Sequence, residues 1–107
     1  MAKIYEGKRG MVSHLVTVND GKDTKMLPDC TSIRNHSPTG FEWGYGGSGP
    51  AQLALAILVD LIGEEKALPL YQKFKFAMIA TLSRSDDWKL TEEEIRRWVD
   101  EENTEAA

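Results

Sequence analysis

Cysteine and histidine are scarce in this chain: Cys30 stands alone, and His14 and His36 are the two histidines among 107 residues. A lone thiol excludes an internal disulfide and a cysteine-rich zinc site, and no paired-histidine helical spacing exists. No metal and no cofactor are therefore expected. Long apolar runs are also missing. The longest, residues 53–59, falls far short of the roughly 18 residues that suggest a membrane span. Residues 1–8 carry a charge every few positions and no apolar core of the kind a secretory signal has. A cytoplasmic setting without membrane contact is the expectation. No concentrated basic stripe is present, which argues against double-stranded nucleic acid as a partner. The net charge of −4 arises at one end: residues 92–107 hold seven acids and two arginines, and the remainder is close to neutral. Such an end usually forms a solvated face; extended into a continuous acidic surface it would mimic nucleic acid.

What is there is globular. Hydrophobic residues at 41% and charged residues at 28% fit one folded domain, expected over residues 1–102, with 103–107 as a frayed acidic tail. Lys3–Glu6 and Leu15–Val18 read as strands with β-branched character. Asn19-Asp20-Gly21-Lys22 between the second strand and Thr24–Leu27 signals a hairpin with Asp20-Gly21 as a type I′ turn, and Pro28 ends the returning strand. Ser32–Asn35 and Phe41–Trp43 read as further short strands around a turn at His36–Gly40. Residues 50–62 read as a helix broken in its apolar surface only by Gln52 and Asp60, stopped by Gly63, and therefore surrounded by protein. A second helix is predicted from about Pro69 to Leu82, with Phe76 and Ile79 on its apolar side and Lys73 and Lys75 in water. Ser83–Lys89 reads as a polar connection. Thr91 and Glu94 form a capping box, with Leu90 and Ile95 as a hydrophobic staple, at the start of a third helix. Glu92 with Arg96 and Glu93 with Arg97 pair along it. The predicted fold class is α+β: a small antiparallel sheet of four or five strands followed by three helices, the first helix central in the core.

The densest stretch is Phe41-Glu-Trp-Gly-Tyr-Gly-Gly-Ser-Gly-Pro50, a glycine-rich aromatic turn that runs into the apolar helix. Gly44–Gly49 satisfies G-x-G-x-x-G before a helix, where backbone N–H groups can receive an anion. A dinucleotide site, however, needs a βαβ unit, and here a second helix follows the first. The loop ends in Gly-Pro rather than the Lys-Ser or Lys-Thr of a phosphate-binding loop. Gly46-Gly-Ser48-Gly-Pro50 has the outline of a nucleophile elbow, with Pro50 in place of its last glycine and too short a chain for the sheet such an elbow needs. Ser48 is instead expected to cap the first helix through its hydroxyl. Arg34, His36, Glu42, Trp43, Tyr45, Gly46, Gly47 and Ser48 are the candidate binding residues, because arginine and aromatic side chains anchor interfaces. Alternation would turn both Phe41 and Trp43 inward onto the helix; that is the expectation for Phe41, with Tyr45 outward, while Trp43 stays a binding candidate. Whether Glu42 pairs with Arg34 or faces water is left open.

The stretch Asn35-His-Ser-Pro-Thr-Gly-Phe-Glu-Trp-Gly-Tyr-Gly-Gly-Ser-Gly-Pro-Ala-Gln-Leu-Ala-Leu-Ala56, continued through Tyr71, Phe74-Lys75 and the Trp88-x-Leu90 step, resembles a family of small uncharacterised bacterial, archaeal and phage proteins, a domain of unknown function. The resemblance covers most of the chain and is loose over residues 1–30. It implies a small single domain, often on mobile elements, with no established activity. By position it places Asn35, His36, Ser37, Gly40, Glu42–Pro50 and Gln52 in the family's signature. Together these readings point to a noncatalytic binding or regulatory module that presents the Arg34–Ser48 surface to a protein or small-ligand partner. The alternative is a small nucleotide- or anion-binding protein or enzyme that uses the Gly44–Gly49 turn as a nest.

Overall fold

A computed structural model describes residues 2–10, 14–38 and 40–106. Thr39 of the predicted turn and Ala107 of the predicted tail lie outside them. Strands β1 (Ile4–Lys8), β2 (Leu15–Asn19), β3 (Thr24–Met26) and β4 (Trp88–Thr91) build one antiparallel sheet in the order β3-β2-β1-β4. The helices are α1 (Ser48–Ile62), the short α2 (Glu64–Ala67) and α3 (Tyr71–Phe74), and α4 (Glu92–Ala106), with a π-helical segment over Lys75–Ile79. The fold class is α+β, as the sequence predicts.

Strand alternation sets the core. Tyr5 faces Val18 and Leu90, and Gly7 faces Val16 and Trp88, in neighbouring strands. All six lie on the buried face of the sheet. Glu6, Lys8, Leu15, Thr17 and Lys89 occupy the other face, in keeping with the period of two in a one-sided sheet. The Trp88 indole fills the space over Gly7, where a β-carbon would lie 2.2 Å from the indole nitrogen. Helix α1 packs across this face, and residues Leu53 to Leu58 are sealed from solvent.

The two polar interruptions of α1 are both satisfied. Gln52 is fully buried; its Oε1 accepts the N–H groups of His36 (2.8 Å) and Ser37 (3.1 Å), and its Nε2 donates to the carbonyl of Asp29 (2.6 Å). Asp60 accepts the Tyr5 hydroxyl at 2.8 Å and the Lys3 ammonium at 3.1 Å, which ties β1 to the last turns of α1. Burial of the Tyr5 ring, and then the Asp60 carboxylate on its hydroxyl, push that phenol far above the usual range.

Several local expectations are corrected. In the hairpin, Asp20 N–H bonds to the Asp23 carbonyl, so Gly21 and Lys22 are the central pair; Gly21 sits at φ 92° and Asp20 Oδ1 accepts the N–H groups of Lys22 and Asp23. A glycine first and positive φ confined to it is the type II′ pattern rather than I′. Residues 32–35 are not a strand: Cys30 adopts φ 58°, and its carbonyl accepts from Ile33 and Arg34 in a tight turn. Residues 41–43 are not a strand either, because the backbone leads into Gly44, whose N–H reaches across to Ile79 O. Trp88–Thr91, predicted as connection and cap, supplies the fourth strand after the helices. Gly63, at φ 87°, ends α1 with its N–H on Val59 O.

The second predicted helix is divided. Helix α2 begins before Pro69, and Ala80 N–H bonds to Lys75 O five residues back, at 2.8 Å. That wider turn inserts a residue into the helical register. Lys75, predicted in water, is turned inward and left 7% exposed, while Phe76, predicted inward, is 60% exposed. Helix α4 starts as expected, with Thr91 Oγ1 accepting from Glu94 N–H (3.2 Å) and Glu94 reaching back to Thr91 N–H (3.5 Å). Its Glu92–Arg96 and Glu93–Arg97 pairs are formed.

Candidate functional site: the glycine turn and the π segment

The structure distributes the sequence candidates among three places. His36 belongs to the loop pinned by Gln52, and its Nε2 lies 2.7 Å from the Tyr71 hydroxyl. Arg34 is exposed on the turn after Cys30.

Glu42 and Trp43 form a second group. Glu42 pairs with two residues the sequence did not single out: Arg9, at 3.0 Å, and His14, at 2.6 Å. The Arg9 guanidinium lies 4.3 Å over the Trp43 ring, and the His14 ring is 5.3 Å from it. Trp43 is sealed, meets Trp88 edge-on and donates its indole N–H to Asp86 O at 3.1 Å. Partial burial pushes the Glu42 carboxyl up, but hydrogen bonds from Arg9, His14 and the Trp43 N–H together outweigh it and hold the group below the usual carboxylate range. Both Arg9 Nη1 and Glu42 Oε2 contact His14 Nε2, which donates or accepts according to its tautomer. Among the described residues, His14 Nδ1, Arg9 Nε and Trp88 Nε1 are buried with no hydrogen-bond partner. The register explains the cluster: β1 and β2 pair antiparallel up to Lys8 and Leu15, so Arg9 and His14 leave the sheet side by side.

Tyr45, Gly46 and Gly47 form the third group, on the outside. Gly44 holds φ 86°, and a β-carbon there would sit 2.5 Å from Arg84 Cα, so the turn needs glycine for conformation and for close approach. That approach lays the turn on the π segment. The Tyr45 ring packs over Gly47, and the Phe76 ring over Gly46. Each ring carries a cation: Arg84 lies 4.7 Å from the Tyr45 centroid and Lys75 4.1 Å from the Phe76 centroid. Tyr45 is 36% exposed, as the sequence predicts. Phe76, Lys75 and Arg84 were missed: the first two belong to the π segment, and Arg84 comes to the site through the close approach of Gly44.

Ser48 does not cap α1. Gly47 stands at the N-cap in extended conformation, no side chain bonds to the end of the helix, and Ser48 is its exposed first residue. The inner side of this end is occupied by Glu42: a β-carbon on Gly49 would lie 2.5 Å from Glu42 Cβ.

Residues 5–101 match the model of the family of unknown function DUF6166. The chain belongs to that family. No curated protein and no solved structure matches it. Within this DUF6166 chain the matched range contains every candidate residue, the partners Arg9 and His14, and the π segment. Among the described residues no group of three or more histidine, cysteine or acidic side chains is placed to hold a metal ion, and no helix is long and apolar enough to cross a membrane.

Proposed function

We propose that this DUF6166 protein is a small noncatalytic binding or regulatory module whose contact surface is the glycine-rich turn together with the π segment beside it. One observation carries the reading: Tyr45 and Phe76 hold their rings outward on adjacent glycines, each with a cation on its face. Aromatic and arginine side chains are the types enriched at interface centres, and π-helical turns recur at functional positions. Exposing two rings has no folding benefit, and the sheet and α1 already provide the core. The resemblance of the signature stretch to phage and mobile-element proteins supports a cytoplasmic, mobile-element setting for the module.

The enzyme reading is set aside on chemical grounds. His14 and Glu42 are an acid–base pair in kind, but Nε2 is committed to Glu42 and Arg9, and Nδ1 is enclosed. A proton carrier must touch the group it serves. The nucleotide reading is weakened by Glu42, which places a carboxylate-bearing side chain against the end of α1 where a phosphate would need room.

Site-directed photocrosslinking tests the proposal. A crosslinking amino acid is placed at Tyr45, at Phe76 and, as control, at Thr17 on the outer face of the sheet. Adducts of one partner from the first two positions and none from Thr17 support the module. Equal labelling from all three, or none, defeats it. In parallel, a nucleotide at about 100 times its dissociation constant would stabilise the chain by about 2.7 kcal/mol, which would favour the alternative.

A further inference from the structure

One nitrogen of His14 meets two partners that make opposite demands on it. Nε2 lies 2.6 Å from Glu42 Oε2 and 2.7 Å from Arg9 Nη1. An ionised carboxylate only accepts and a guanidinium only donates, whereas a ring nitrogen carries either a proton or a lone pair. With a lone pair, Nε2 receives Arg9 and confronts a carboxylate oxygen. With a proton it serves Glu42 and confronts an N–H of Arg9. Nδ1 gives no relief, because it is buried with no hydrogen-bond partner among the described residues. Arg9 is the partner with somewhere else to go: Nη1 is 3.3 Å from Glu42 Oε2, Nη2 is 3.0 Å from Glu42 Oε1 and 3.4 Å from the Trp43 carbonyl, and the guanidinium already lies over the Trp43 ring. Its backbone stays fixed, since the Arg9 N–H donates to Asp87 Oδ1 at 2.8 Å.

We propose that His14 is a proton switch in the anchorage of the glycine turn: the neutral ring receives Arg9 on Nε2, and the protonated ring donates Nε2–H to Glu42 and sends Arg9 Nη1 off toward Glu42 and Trp43. In the neutral state the ring proton is on Nδ1. The second proton comes from water and enters at Nε2, to which the one-quarter exposed side chain gives access. Histidine is the side chain whose charge ordinarily changes near neutral pH. The charged groups facing the ring are Arg9, from the end of β1, and Glu42, from the segment before α1; Asp87, before β4, faces Arg9 through its backbone N–H. Among the described residues no other charged side chain bonds to the ring, and its remaining neighbour, the Trp43 indole at 5.3 Å, is neutral. The guanidinium touches both the ring and the carbonyl of Trp43, the residue before Gly44, so its displacement is felt at the root of the turn. This goes beyond the binding-module reading and stands whether or not the turn meets a partner; if it does, the contact surface answers to pH.

The test is an NMR titration of the full chain, labelled with nitrogen-15, from about pH 8 to about pH 5, the range in which histidine changes charge. Ring nitrogen shifts report which nitrogen of His14 carries the proton. The expected result is a neutral ring protonated on Nδ1, with the Trp43 and Gly44 amides shifting at the midpoint of the His14 ring. Arg9→Met removes the donor to Nε2, so the neutral ring should move its proton to Nε2 and bond to Glu42. His14→Gln should abolish the step at Trp43 and Gly44. His36→Gln should leave it in place, since the His36 ring contacts Tyr71 instead. A neutral parent ring protonated on Nε2 would overturn the proposal, because the second proton would then enter at Nδ1 and leave the partners of Nε2 unchanged. So would turn amides that do not follow the ring, a step that survives in His14→Gln, or a ring that takes no second proton before the chain unfolds. The parent spectra alone decide the tautomer and the common midpoint even where a variant fails to fold, and the crosslinking result decides the broader reading separately.

Discussion

Single residues hold this fold at two polar points. Gln52 lies in the apolar helix because it binds three backbone groups of the 29–37 loop. Gln52→Leu keeps the volume and removes all three of these hydrogen bonds. It should lower stability by about 2–4 kcal/mol, read by urea denaturation. Glu42 is the other point. Its folded pKa is depressed, so its stabilising contribution is complete at neutral pH and is lost as the pH falls through the folded value, below the ordinary carboxylate range. Glu42→Gln should therefore destabilise by about 1–3 kcal/mol near pH 7, by leaving Arg9 uncompensated. The difference from the parent should shrink toward zero in acid; a difference independent of pH would show that packing, not charge, is what Glu42 supplies. The candidate list from sequence included Glu42 but not its partners, because Arg9 and His14 lie 33 and 28 residues away and neither belongs to a motif.

At the scale of elements, the glycine turn separates structural from functional positions. At Gly44 a side chain meets both positive φ and the Arg84 backbone, so Gly44→Ala should cost about 2–4 kcal/mol. At Gly49 the obstacle is the stem of Glu42, which can yield a little, and about 1–3 kcal/mol is expected. At Gly47 the obstacle is the end of the Tyr45 ring, an outward side chain that can swing aside, so Gly47→Ala should change stability by less than about 0.5 kcal/mol while displacing that ring. Thermal melts of the three variants check the order. The turn itself was legible as a special segment, since a run of glycine and aromatic residues before an apolar helix has no ordinary linker role. Its seat on the π segment was not, because a single α-helical period was assumed across residues 69–82 and the widened turn exchanges the environments of Lys75 and Phe76. Strand β4 was hidden differently: Trp88 and Leu90 alternate with Lys89 and Thr91, but the capping box that begins at Thr91 draws those residues into the reading of α4.

For the whole molecule, a Cα radius of gyration of 12.9 Å equals the roughly 13 Å of a compact domain of about 100 residues. We propose that residues 1–102 are that domain and that 103–107 add only acidic surface. Val99 is the last buried residue of α4 among those whose burial is described, and Thr104 bonds within its own helix to Asp100 O. A chain ending at residue 102 should melt within about 2 °C of the full one by circular dichroism, as a change under about 0.5 kcal/mol implies. A larger drop would show that the end braces the fold. The net charge of that end does not make a uniform acidic face, since Arg96 and Arg97 are paired along it.

Short-range chemistry is what the sequence by itself determined: the apolar helix α1 and its glycine stop, the β2–β3 hairpin to within one residue, the capping box of α4, and Tyr45 outward. Each depends on periodicity or on hydrogen bonds between residues a few positions apart. Only the tertiary structure decided which strand pairs with β1 on its second side, which cation meets Glu42, and which residues the π segment turns outward. Those outcomes compare contacts between parts of the chain tens of residues apart, where many pairings satisfy the same local pattern and packing around α1 selects one.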